Sequence, residues 1–164
     1  MKRTLGLTLL LFATLFSCMR QEKPLPAELS RAESVMWEHP DSALSILRSM
    51  PQSSLSIGKN YATWALLLAQ ARDKVYGKRL PDSLNIPSSD KLVQDAMDYF
   101  EKEGDLKRMA QTYYYKGQLL KDQKKITEAM PFFLKSKEMM TKLDEPLFTY
   151  LICQSLGNMC RYQD

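Results

Sequence analysis

From Ala27 onward, apolar residues recur three and four positions apart, which places them on one face of an α-helix. No stretch alternates apolar with polar as a half-buried strand does. The spacing predicts helices over 27–38, 41–50, 57–77, 89–103, 105–121, 125–142 and 146–161. Turn chemistry separates them. Pro40 ends the first helix, because the residue before a proline is pushed out of the helical region, and Asp41 is placed to cap the second. Pro51-Gln52-Ser53-Ser54 closes that helix, Ser88-Ser89-Asp90 supplies caps ahead of Leu92, and Gly104-Asp105 joins a stop to a new start. Residues 78–88, with Pro81 and Pro87, make a connection that is long for a helical hairpin. It reads either as a plain surface loop or as a partner-contacting insertion. Pro131 falls inside the sixth helix, where its missing N–H is expected to bend or delay the first turns.

The N-terminal segment, Met1 to Cys18, follows a different pattern. Lys2 and Arg3 precede an uncharged run from Leu5 to Phe16, and Ser17 stands before Cys18. This is the build of a secretory signal, predicted as residues 1–17. A helix of that run would reach roughly 18 Å against a hydrocarbon core of ~30 Å, so the segment targets the chain and does not span a membrane. Leu15-Phe16-Ser17-Cys18 resembles the lipobox of bacterial lipoproteins, whose cysteine is joined to diacylglycerol and becomes the first residue after cleavage. Phe16 is larger than the residue usual at that position. The resemblance implies lipidation of Cys18, with residues 18–26 as a tether stiffened by Pro24 and Pro26. An ordinary signal peptide with an unrelated cysteine is the competing reading. Met19 and the lack of a following acidic run imply, again by resemblance, the periplasmic side of an outer membrane.

Residues 27–164 contain an internal echo. Ala96-Met97-Asp98-Tyr99-Phe100-Glu101-Lys102 is matched further along by Ala129-Met130-Pro131-Phe132-Phe133-Leu134-Lys135, and Ala43 and Leu47 repeat the small-then-large spacing. Self-similarity at a period of roughly 33 residues marks stacked helical hairpins: a small residue lets two helices approach, and an aromatic one turn later fills the groove between them. Ala110, Tyr113, Gly117, Ala129 and Phe133 are spaced so that residues 110–136 resemble a tetratricopeptide repeat, with 110–142 as the best repeat of the domain. Leu156-Gly157 returns, in the final helix, to the glycine position that Gly117 holds. Trp64, Leu67 and Leu68 read as an earlier first helix whose partner lies around Ala96, and residues 27–50 as a degenerate hairpin. Three departures stand out: Ser136 replaces the usual later alanine, the closing proline comes late as Pro146, and Pro131 interrupts a helix. The fold class expected is all-α, an α-solenoid of tetratricopeptide-like hairpins behind a lipoprotein signal.

Charge and chemistry narrow the function. Without residues 1–17 the chain is still long enough for one domain with a core. Losing Lys2 and Arg3 takes its 23 basic residues to 21, against 19 acidic, a net of +2. That near-neutral balance gives no argument for a nucleic-acid partner. His39 stands alone before Pro40, no Gly-x4-Gly-Lys-Ser/Thr loop is present, and the carboxylates are scattered over helical faces. No enzyme, cofactor or metal is expected. Cys153 and Cys160 lie two turns apart, roughly 10.5 Å along a helix, too far to pair with each other. Met130, Met139, Met140 and Met159 read as core filling or as an adaptable binding surface.

Three consecutive residues on a helix point about 100° apart, so Tyr113, Tyr114 and Tyr115 cannot all face one core; Tyr113 is expected inside, Tyr114 and Tyr115 partly exposed. First helices of stacked repeats line the concave face. Carrying over the positions at which tetratricopeptide repeats commonly touch peptides implies Gln111, Tyr114 and Gln118 in the best repeat. In the final helix it implies Leu151, Gln154 and Asn158, with Arg161 one turn on. Amide side chains there would hold a peptide backbone while Tyr114 supplies apolar contact; an ordinary polar face is the alternative. The expected function is a lipid-anchored extracytoplasmic adaptor for a protein or peptide. The alternative is the N-terminal periplasmic sensory part of a longer regulator, motivated by a final helix that looks like a first helix without its second.

Overall fold

The helical periodicity is realised as seven α-helices, and no strand, among the residues that the computed structural model describes: 24–55, 58–77 and 89–161. They are α1 (Ala27–Val35), α2 (Pro40–Ser49), α3 (Lys59–Tyr76), α4 (Ser89–Glu103), α5 (Leu106–Asp122), α6 (Ile126–Lys142) and α7 (Pro146–Cys160), with a 3-10 turn at Gln52–Ser54. The predicted signal of residues 1–17, Cys18 and the long 78–88 connection lie outside the described residues.

The first helix ends at Val35, short of the stop expected at Pro40, while the Gly104-Asp105 junction operates as expected. Asp105 caps α5, its carboxylate accepting a hydrogen bond from the Arg108 backbone N–H at 3.0 Å, and Gly104 takes φ +73°, open to a residue without a Cβ. The start of α2 differs from expectation. The helix begins at Pro40 itself, with His39 at the N-cap and no side-chain cap from Asp41. A proline suits the first helical position, where its missing N–H has no intrahelical partner to lose. In α6 the helix runs through Pro131 without ending. Two turns lack glycine altogether. Lys124 (φ +62°) and Asp144 (φ +53°) both adopt the left-handed region, and each turn closes with the same backbone bonds, Lys125 N–H to Leu120 O and Glu145 N–H to Met140 O.

Each helix packs on the next in sequence, and α1, α3, α5 and α7 also touch in succession; α2, α4 and α6 make no such contact with one another among the described residues. The helices thus form two layers, and one continuous core draws buried residues from all seven. The sequence echo has a common structural meaning. Ala96 and Phe100 on α4, and Ala129 and Phe133 on α6, are all buried, each pair on a helix packed against its predecessor. Phe133 lies over Gly117: a Cβ on that glycine would meet three of its ring atoms at 3.0 Å. Ser136, in place of alanine, is also buried, and its hydroxyl donates to the Ala110 carbonyl at 2.6 Å, so a small polar residue fits the same close approach. Of the methionines read as core or binding surface, Met140 and Met159 are buried and Met130 and Met139 pack half-buried against the core.

Candidate partner-binding face

The residues expected to bind a partner sit on α5 and α7, and the structure separates them into two groups. On α5, Tyr113, Tyr114 and Tyr115 are all buried, which corrects the expectation that the latter two stand partly exposed. The physical reason is that α5 is covered on several sides at once, packing against α3, α4, α6 and α7. Tyr113 turns toward α4, where its hydroxyl donates to the Glu101 carboxylate at 2.7 Å. Tyr114 lies against α6 and α7, its ring 5.9 Å from both Phe133 and Phe148 in edge-on contacts. Burial, with Asp73's charge as the next cause, pushes the Tyr114 phenol up to about 12. Tyr115 is raised well above 10.0 by burial, with the charge of Asp73 acting the same way. Both therefore stay neutral, protonated phenols at neutral pH.

The amides beside Tyr114 are also engaged. Gln111 is only 5 % exposed. Its Oε1 accepts from Arg108 Nη1 at 3.4 Å, while Arg108 Nη2 pairs with Glu33 of α1 at 2.7 Å. Gln118 is half-buried; its Nε2 donates to the Tyr114 hydroxyl at 2.9 Å, and its Oε1 accepts from Lys121 and, at 3.4 Å, from Ser155 of α7. Gln111, Tyr114 and Gln118 therefore knit α1, α5 and α7 together within the layer of odd-numbered helices.

Gln154, Asn158 and Arg161 behave differently. All three are exposed, on or just beyond α7, and their spacing sets them on one face. That face is the one turned away from Phe148, Ile152, Ser155 and Met159, which are buried. Leu147 and Tyr150 share it and are 48 % and 62 % exposed, and the free thiols Cys153 and Cys160 are exposed as well. Leu151 is half-buried. The six predicted residues accordingly do not form one surface; three are internal braces and three remain on an open helical face.

Residues not singled out in the sequence bridge the ends of the helix row. Trp37, just after α1, stands edge-on to Phe148 of α7 with ring centroids 5.6 Å apart, and the Lys74 ammonium lies 3.4 Å from the Trp37 ring centroid. Burial lowers the Lys74 pKa, opposed by the neighbouring charge of Asp73. Asp73 lines a recess with Tyr115, Gln118 and Asp122; burial raises its carboxyl pKa, and the Asp122 charge raises it further, against Lys121 and Lys74. An aromatic in the Trp37-Glu38-His39-Pro40 turn was the available signal, but its contacts, Lys74 and Phe148, lie far along the chain, beyond the reach of any local pattern.

Among the described residues, no three His, Cys, Asp or Glu side chains gather as metal ligands, and no helix is long and apolar enough to cross a membrane. No protein-family model matches the chain, and no curated protein or solved structure matches it either.

Proposed function

We propose that this chain is an extracytoplasmic adaptor, held to a bacterial envelope membrane by a lipid on Cys18, that recognises a protein partner rather than transforming a substrate. The observation that carries this reading is the repeated unit. A small residue and an aromatic four positions on, Ala96/Phe100 and Ala129/Phe133, are buried on the second helix of successive helix pairs, and Phe133 fills the notch left by Gly117. Stacked pairs of this kind form a tetratricopeptide-like solenoid bent about the odd-numbered layer, whose helices are the ones in mutual contact. Such scaffolds work through extended faces. Here the face open to a partner is that of α7, with Gln154, Asn158 and Arg161 as its polar contacts and Tyr150 as its apolar one. Leu15-Phe16-Ser17-Cys18 supports the anchor, and more than one acyl chain is needed to hold a protein stably on a bilayer.

Two experiments test the reading. Replacing Cys18 with serine should abolish acyl labelling and move the protein from membranes to the soluble fraction; persistent labelling removes the anchor. Capture from membranes should lose its specific partner when Gln154→Ala, Asn158→Ala and Arg161→Glu are combined. Undiminished capture by that triple variant removes the α7 face.

A further inference from the structure

The register of α7 relative to α5 points to what sits on its open face. Placing Gly157 on Gly117 aligns the two helices residue for residue. On α5, the positions that meet α6 are Ala110, Tyr113, Tyr114 and Gly117: Ser136 bonds the Ala110 carbonyl, Phe132 lies beside Tyr113, and Phe133 contacts both Tyr114 and the glycine. All four are buried. The corresponding residues of α7 are Tyr150, Cys153, Gln154 and Gly157, and all four are exposed. A Cβ on Gly157 would meet nothing within 4 Å, where one on Gly117 meets an aromatic ring. α7 therefore presents a helix-receiving face with an empty aromatic slot, and an unmatched aromatic, Tyr150, stands two turns away on that same face.

We infer that the partner on this face is a second copy of the chain, docked α7 against α7 about a two-fold axis. This inference rests on the reading of the α7 face as a partner-binding face and is independent of the membrane anchor. Residues 150 and 157 are placed symmetrically about a point between Cys153 and Gln154. An antiparallel pair crossing there sets each Tyr150 ring over the other copy's Gly157, so that both slots are filled in one isologous contact, as Phe133 fills Gly117. The same register brings Leu147, the other large exposed apolar side chain of α7, opposite Cys160. From Pro146 to Cys160 the helix carries no charged residue, so two copies approach without like-charge repulsion. A helix that is apolar around most of its circumference is one that proteins bury.

Cys153 falls beside the proposed axis, which supplies the test. The full chain, in whole cells that express it, is treated with a short membrane-permeant bifunctional maleimide and read on a denaturing gel. The expected result is an adduct of twice the chain mass that persists in Cys160→Ser and disappears in Cys153→Ser. Gly157→Leu fills the slot from within, in open space that leaves the monomer undisturbed. It should reduce the adduct at least tenfold while circular dichroism stays unchanged, and Tyr150→Ala should do the same. Absence of the double-mass adduct, or an adduct indifferent to Gly157→Leu, overturns the inference. An adduct with a different protein that needs Cys153 also overturns it while leaving the adaptor reading intact.

Discussion

Gly117 and Gly157 occupy the same place in their helices and meet opposite surroundings, and the difference sets the sign of the same substitution. A methyl group at 117 must displace the Phe133 ring, whose three nearest atoms would lie at 3.0 Å and whose own burial leaves it little room. Overpacking of this kind costs about 1–3 kcal/mol. Within a single chain the space at 157 is open, so in the monomer Gly→Ala gains helix propensity of about 0.5–1 kcal/mol. Urea denaturation of the two variants, at concentrations where the chain is monomeric, should therefore move the midpoints in opposite directions; a shared direction refutes the packing described here. Asp73 gives a second prediction at this scale. Its carboxyl is raised above 3.8 by burial, then by Asp122, so its ionised form is disfavoured in the folded state. The stability it contributes is complete below 3.8 and lost as pH rises through the raised value. Asp73→Asn should accordingly be more stable than the parent chain at neutral pH, with the difference vanishing in acid. A difference that is flat across pH would show that Asp73 titrates normally.

Among the elements, helix positions followed from periodicity because each helix must bury a stripe, and a 3.6-residue stripe is written locally. The turns were harder to read. The two that close α5 and α6 use the same left-handed residue and backbone bonds without the glycine that signals such a turn, with Lys124 and Asp144 in its place. Non-glycine residues there carry a cost of about 1 kcal/mol. Lys124→Gly and Asp144→Gly should each stabilise the protein by up to about 1 kcal/mol in chemical denaturation, and jointly by close to the sum, since the turns stand at opposite ends of α6. Destabilisation by either would mean that the residue's side chain holds the turn. Ser136 illustrates the converse: a departure from the repeat pattern in the sequence, it occupies the small-residue position unchanged and adds a hydrogen bond to Ala110.

For the whole molecule, the contacts joining the ends of the helix row separate this structure from an open groove. Trp37 reaches Phe148, Lys74 covers Trp37, and Arg108 ties Glu33 to the helix that carries Tyr114. The layer of odd-numbered helices is thus partly filled by its own side chains, and the open contact surface shifts to α7. A double-mutant cycle on Trp37→Ala and Phe148→Ala should give a coupling of about 0.5–1.5 kcal/mol, the range for edge-on aromatic pairs. A coupling of zero would separate the two ends of the row. The Glu33–Arg108 pair, with the Glu33 side chain 38 % exposed, should contribute less than the aromatic pair because water screens it.

By itself the sequence determined the all-helical class, the positions of the helices and the pairing of small and aromatic residues at Ala96/Phe100 and Ala129/Phe133, because these depend on spacings of a few residues along one chain. Tertiary structure decided which faces remain open. Tyr114 and Gln111 read as exposed on an isolated α5 and are buried because α7 and α1 close over them, through Phe148 and through the Glu33–Arg108 pair. Gly117 and Gly157 look alike in sequence and differ only in whether another helix lies on top of them. Which of the remaining faces stays open depends on neighbours brought from far along the chain, and no local pattern encodes that.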